Sequence, residues 1–215
     1  MKDIKPQLDI YKQLLLRWNQ SINLTAIKDP DEIDCKHFED SLTVLSVLDI
    51  PHGARFIDIG TGAGFPGMVL KIARPDLDMT LLDSRQKRFL FLEDLQKTLG
   101  ISCTNTVHRA EEITADERES YDFATSRAVA KLNLLCEYAL PYLKVGGHFI
   151  AYKANLSTEI EDCGNALKIL GGEIEAVKSL KLSDGSERNL VIIKKISQTP
   201  TKYPRVSAQI AKRPL

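Results

Sequence analysis

The sequence predicts an α/β fold: a mostly parallel sheet with helices on both faces, ending in a C-terminal antiparallel hairpin and preceded by an N-terminal helical extension. Three observations predict it. From residue 55 onward, short apolar runs bounded by turn residues alternate with amphipathic stretches. The first run opens directly into a glycine-rich loop and a helix. The last two, Ile174 to Leu180 and Asn189 to Ile196, are joined through Ser183-Asp184-Gly185-Ser186, a turn that pairs neighbours antiparallel.

Residues 1–50 form the extension. Leu8, Tyr11, Leu14, Leu15 and Trp18 repeat at helical spacing until Asn19 and Ser21. Asp29-Pro30-Asp31-Glu32 starts a second helix with the stripe Phe38, Leu42, Leu45 and Leu48, closed by Pro51-His52-Gly53. The main domain covers 51–198. Its strands are Arg55 to Ile59, Met79 to Asp83, Thr104 to His108, Tyr121 to Thr125 and His148 to Tyr152. Its helices follow Gly64, run from Arg85 to Leu99 with Gly100 as the stop, from Lys131 toward Leu143 with Pro141 ending or bending the run, and from a Ser157 cap to Leu170. Residues 199–215 are a basic tail. A terminal hairpin on such a sheet separates the methyltransferase subclass from the ordinary dinucleotide-binding fold.

The 215 residues carry 29 Lys+Arg and 29 Asp+Glu, a net charge of zero that argues against a protein coated by nucleic acid over its whole surface. The balance is uneven. Residues 1–50 and 51–193 carry −3 each, whereas the segment from Lys194 carries six basic residues and no acidic one, so an anionic partner can meet that end. Cys35, Cys103, Cys136 and Cys163 and the histidines 37, 52, 108 and 148 show no metal-ligand spacing. Reduced, mostly buried thiols and no metal are expected. No apolar run approaches bilayer length and the start lacks a signal peptide's apolar stretch, which places the protein in the cytoplasm. No interface stripe stands out, so a monomer is expected.

Glycines after a buried strand let a backbone approach a ligand, and a nucleotide-type cofactor belongs there. Gly62-Ala63-Gly64-Phe65-Pro66-Gly67 also satisfies GxGxxG, which keeps a dehydrogenase in competition. Asp58, two residues before Gly60, is placed to accept a hydrogen bond from an amino group; the competing reading is a local turn residue. Asp83, 19 residues beyond Gly64, is placed to hold both ribose hydroxyls. S-adenosylmethionine presents an amino group, a ribose and an adenine, whereas NAD adds a pyrophosphate that needs further donors at the helix start. Glu111, after the third strand, reads as an adenine lid or as a solvated helix start. Arg127, in Ser126-Arg127-Ala128 at the carboxyl end of the fourth strand, reads as a cofactor or substrate contact, or as an exposed arginine. Asn23-Leu24-Thr25 and His37 read equally as capping and core polar packing or as the active-site mouth.

Asp58-Ile59-Gly60-Thr61-Gly62-Ala63-Gly64-Phe65-Pro66-Gly67, with Leu81-Leu82-Asp83-Ser84, Ser126-Arg127-Ala128, Trp18-Asn19, Asn23-Leu24-Thr25, His37-Phe38-Glu39-Asp40-Ser41 and Tyr203-Pro204-Arg205, resembles the glucose-inhibited division protein B family over nearly the whole chain. Ala154 and Ala208 stand where that family commonly has glycine. The resemblance implies a class I S-adenosylmethionine-dependent methyltransferase fold and methylation of guanosine N7 in bacterial small-subunit (16S) rRNA or its 30S particle. It implies cofactor contacts at Gly60, Phe65, Ala110, Glu111 and Arg127, beside Asp58, Gly62, Gly64 and Asp83. Guanine N7 carries a free lone pair, so the lack of an obvious general base fits. The candidate RNA contacts are Arg85, Lys87, Arg88, Lys153, Arg188, Lys202 and Arg205. The alternatives are a methyltransferase acting on a small molecule or protein, and an RNA-binding module that keeps the pocket without catalysis.

Overall fold

A computed structural model describes residues 3–127, 130–156 and 158–215. Among these, seven strands form one sheet in the order β3-β2-β1-β4-β5-β7-β6. The strands are β1 (Arg55–Ile59), β2 (Asp78–Leu82), β3 (Thr104–Thr106), β4 (Tyr121–Arg127), β5 (Leu143–Lys153), β6 (Gly172–Lys181) and β7 (Glu187–Lys195). Pairing is parallel from β3 through β5, and β7 runs antiparallel between β5 and β6. The order reverses direction beside β1, and a crevice opens there at the carboxyl ends of the strands.

The helices are α1 (Lys5–Asn19), α2 (Pro30–Ile33), α3 (Asp40–Leu42), α4 (Gly67–Ala73), α5 (Gln86–Leu99), α6 (Leu132–Ala139), α7 (Glu159–Asp162), α8 (Gly164–Leu170) and α9 (Ser207–Lys212). Local chemistry sets their ends. Asp29 accepts hydrogen bonds from Asp31 N and Glu32 N, with Pro30 in the first turn of α2. Gly100, at φ +64, ends α5 as expected. Pro141 turns the end of α6 into the 3-10 turn Leu140–Tyr142. The helix expected up to Leu170 is broken at Cys163 into α7 and α8, and Ser157, its expected cap, lies outside the described residues, as does Ala128. The second apolar stripe, expected as one helix, contains a π-helical turn, Asp34–Glu39, between α2 and α3.

Two apolar layers sandwich the sheet. Tyr11, Leu15, Ile33 and Phe38 of the N-terminal segment share a core with Met68, Leu70 and Phe91. Leu135, Leu140, Leu167 and Leu170 fill the opposite face. The four thiols are free, and Cys103 alone is partly exposed. The basic segment 199–215 is docked on the body. Arg118 donates to Thr199 O and Tyr203 O, each at 2.9 Å, and the fully buried Lys195 donates to Leu140 O at 2.8 Å. Among the described residues no helix is long and apolar enough to cross a membrane.

Candidate functional site

A cleft of about 560 Å³ opens at the switch point, within the ordinary range for a small-molecule site. Its walls include Gly60, Gly62, Phe65, Asp83, Ala110, Glu111 and Arg127, so seven of the nine expected cofactor residues converge. Arg85, Arg88, Thr25 and His37 also line it.

Asp58 and Gly64 do not. Asp58 is fully buried, and its Oδ2 accepts from Gly67 N at 2.9 Å and from Thr61 Oγ1 at 2.7 Å. Burial pushes its carboxyl up to about 6, against the lowering pull of those bonds. Oδ2 thereby locks the loop onto the start of α4, while Oδ1 is buried with no hydrogen-bond partner among the described residues, and Asp58 does not line the cleft. Gly64, at φ +93, is a packing position, because a Cβ there would lie 2.5 Å from Tyr11 Oη and 2.8 Å from Met68 Cγ. Tyr11 in turn donates to Ala63 O, which fixes the loop from α1.

This arrangement decides between the two cofactor classes. A pyrophosphate needs free N–H groups at the helix start. Here Pro66 has none, Gly67 N is taken by Asp58, and Met68 N by Gly64 O at 2.9 Å. A carboxylate already occupies the electrostatic niche that a dinucleotide would use. The nucleoside end is different. Asp83, 4% exposed at the tip of β2, accepts from Gly62 N at 3.0 Å, from Arg85 N at 2.9 Å and from Arg88 Nη1. That donor-ringed carboxylate beside positive-φ glycines suits ribose hydroxyls, which would share it with Arg88.

The opposite wall is built by the N-terminal segment. Phe65 is stacked on Tyr11 (centroids 5.2 Å) and on His37 (4.3 Å), with the Arg127 guanidinium 5.0 Å from its ring centre. Arg127 Nη2 stands 3.0 Å from His37 Nδ1, and Nη1 donates to Lys36 O at 3.0 Å and Asp40 Oδ2 at 2.9 Å. Asp40 is 1% exposed, and Arg188 Nε stands 2.7 Å from its other oxygen, without the alignment of a hydrogen bond. Burial, then the Arg127 charge, presses His37 down to about 3, so it is neutral. Asn19 clips the Thr25 loop: its Oδ1 accepts from Leu24 N and Thr25 N, and its Nδ2 donates to Thr25 O.

At the third-strand rim, Ala110 O accepts from Tyr142 Oη at 3.0 Å, and Glu111 lies 3.7 Å from Arg109. His108 is raised; the hydrogen bond to Arg109 O and its contact with Glu117 overcome the desolvation that opposes them.

The expected RNA contacts divide. Arg85, Lys87 and Lys202 are exposed. Arg88 is turned onto Asp83. Lys153 is paired with Glu159 at 2.6 Å, Arg188 with Asp40, and Arg205 with Glu137, which is fully buried. Each of these last three is ion-paired within the protein: Arg205 compensates the fully buried Glu137, Arg188 shares the buried Asp40 with Arg127, and Lys153 shares Glu159 with Leu132 N, so none presents an unpaired charge. Sequence reasoning missed Asp40, Tyr138 and Ser207. Ser207 brings the C-terminal segment to the cleft, and only the Tyr203-Pro204-Arg205 motif beside it gave a signal.

The sheet order and this cleft define a class I S-adenosylmethionine-dependent methyltransferase. The chain belongs to the GidB family, described as rRNA small subunit methyltransferase G, whose model matches residues 4–191. It is 47% identical over 212 residues to ribosomal RNA small subunit methyltransferase G of Desulforamulus reducens, covering 95% of this chain and 88% of that one. The corresponding protein of a Thermoanaerobacter species is 50% identical over 210 residues, with the same coverage of 95% and 88%. The fold is similar to a Thermotoga maritima S-adenosylmethionine-dependent O-methyltransferase, with TM-score 0.58, 19% identity and coverage of 86% of this chain and 72% of that one.

Proposed function

We propose that the protein methylates N7 of one guanosine in bacterial small-subunit (16S) rRNA, acting in the cytoplasm as a monomer on the RNA or its 30S particle. One observation carries the choice of atom. Among the described residues, the carboxylates and imidazoles lining the cleft are engaged: His37 with Arg127 and Thr25, Asp83 with three donors, His108 with Glu117, and Glu111 with Arg109. An exocyclic amine or a ribose hydroxyl must lose a proton during methylation, and among the described residues no unpaired carboxylate or imidazole lines the cleft to take it. N7 attacks with its own lone pair and loses no proton.

S-adenosylmethionine supplies an electrophilic methyl on a sulfonium sulfur, which keeps the C–S electron pair as the new C–N bond forms. The chain's part is positioning. Asp83 and the glycine loop hold the nucleoside end, and the Phe65, His37 and Arg127 wall bounds the space where a base must lie. Alignment of the reacting atoms supplies up to about 7–11 kcal/mol in favourable cases. Exposed Arg85 and Lys87, beside the cleft on the Asp83 side, serve the flanking phosphates. The test incubates the protein and labelled cofactor with unmethylated 16S rRNA and with 30S particles, followed by N7-specific strand scission. A single cleavage is expected. Label on an exocyclic amine, on ribose or on protein would overturn the reading.

A further inference from the structure

One hydroxyl in the cleft wall has its hydrogen-bond direction fixed by its neighbours. Arginine can only donate, so His37 Nδ1, 3.0 Å from Arg127 Nη2, is the acceptor of that pair. The neutral ring then carries its proton on Nε2, which lies 2.8 Å from Thr25 Oγ1 and donates to it. Ile27 N donates to the same oxygen at 3.1 Å. Both lone pairs of Thr25 Oγ1 are therefore used, and among the described residues no other group bonds it. What remains is its O–H, on a residue that lines the cleft. The Arg127–His37–Thr25 relay makes Thr25 a donor only.

The position of this donor narrows what it meets. β2 and β4 flank β1, so Asp83 and Arg127 lie about two strand spacings apart, roughly 10 Å. Thr25 is joined to Arg127 through His37, whose ring stacks on Phe65, so its hydroxyl belongs to the aromatic wall of the cleft. The Hoogsteen edge of guanine offers two acceptors, N7 and O6, whereas adenine offers N7 beside an amino donor. The common guanine contact, an arginine fork on O6 and N7 together, would cover the lone pair that must attack. Arg127 is turned instead onto Asp40, Lys36 O and His37. A lone hydroxyl donor can hold O6 and leave N7 open.

Building on the N7 reading, we propose that Thr25 is a specificity-determining residue whose hydroxyl donates to O6 of the target guanine and so selects guanine over bases lacking that carbonyl. The test compares wild type, Thr25→Val and Thr25→Ser on 16S rRNA bearing either guanosine or 2-aminopurine riboside, which keeps N7 and lacks O6, at the mapped nucleotide. Thr25→Val should lower kcat/KM about tenfold on guanosine RNA and less than twofold on 2-aminopurine RNA. Thr25→Ser should restore the preference, and calorimetry should show S-adenosylmethionine binding unchanged. Equal losses on both RNAs would mean a merely structural hydroxyl and would overturn the proposal. So would undiminished guanosine methylation, or weakened cofactor binding, which would place the acceptor on the cofactor. Failure of the N7 reading is separate: wild type would then give no N7 scission on guanosine RNA, and this proposal would fall with it.

Discussion

Replacing Asp40 by Asn tests the wall that carries His37 and Arg127. The carboxylate is 1% exposed and faces Arg127 Nη1 at 2.9 Å and Arg188 Nε at 2.7 Å, with the two arginine side chains only 13% and 17% exposed. Asn fills the same space but leaves two partly buried guanidinium groups without an anion. Removing one member of a buried ion pair costs about 3–5 kcal/mol, and solvent at the arginine edges puts the expectation near 3 kcal/mol. Arg188→Met should cost less, about 1 kcal/mol, because Asp40 keeps its aligned bond to Arg127. The double variant should be less destabilised than the sum, since one arginine then needs no partner. Urea unfolding followed by circular dichroism gives all three values, and calorimetry reports cofactor affinity in each. A loss below 1 kcal/mol for Asp40→Asn, or strict additivity, would refute the assignment of Asp40 as the shared counter-charge.

Four further outcomes follow from the same geometry. His37, pressed from its usual 6.5 to about 3, contributes stability that is present above pH 6.5 and lost as pH falls toward 3; wild type should lose about 3 kcal/mol relative to His37→Gln between pH 7 and 4, and a constant difference would contradict the neutral ring. Gly64→Ala, with φ +93 and a Cβ 2.5 Å from Tyr11 Oη, should cost about 3 kcal/mol in urea melts, whereas Gly62→Ala, with 3.8 Å of clearance, should cost about 1 kcal/mol. Asp83→Ala should raise the dissociation constant for S-adenosylmethionine tenfold or more by calorimetry, and unchanged affinity would remove Asp83 from the cofactor site. Arg205→Ala strands the buried Glu137 and should destabilise by about 3 kcal/mol, with no change in the salt slope of RNA binding by the folded protein; a shallower slope would return it to the RNA face.

Much of the frame is visible locally. Gly100 stops α5, Asp29 caps α2, and the Ser183–Ser186 turn joins two antiparallel strands, because each depends on residues within a few positions. The glycine loop marks the cleft for the same reason, and seven of the nine residues expected at a cofactor line it. The exceptions are instructive. Asp58 is a carboxylate beside a glycine turn in either reading, and only the distances to Gly67 N and Thr61 Oγ1 show that the turn takes one of its oxygens, Oδ2. The π-helical turn that aims His37 and Asp40 leaves no mark in the apolar stripe, since it adds a residue to a helix without changing its character.

The sequence by itself determined the order of the strands, the glycine loop and the uneven charge between body and C-terminal end, though not the helix α9 within that end. Tertiary structure decided which charges remain free. Arg127 meets Asp40 across 87 positions, and Arg205 meets Glu137 across 68. Such pairs form because a buried carboxylate cannot stay uncompensated in a low-dielectric interior, and the arginine that satisfies it is chosen by where the sheet brings the chain back. Counting basic residues along the chain therefore overstates the surface open to RNA; the fold leaves Arg85, Lys87 and Lys202 exposed and turns Lys153, Arg188 and Arg205 inward.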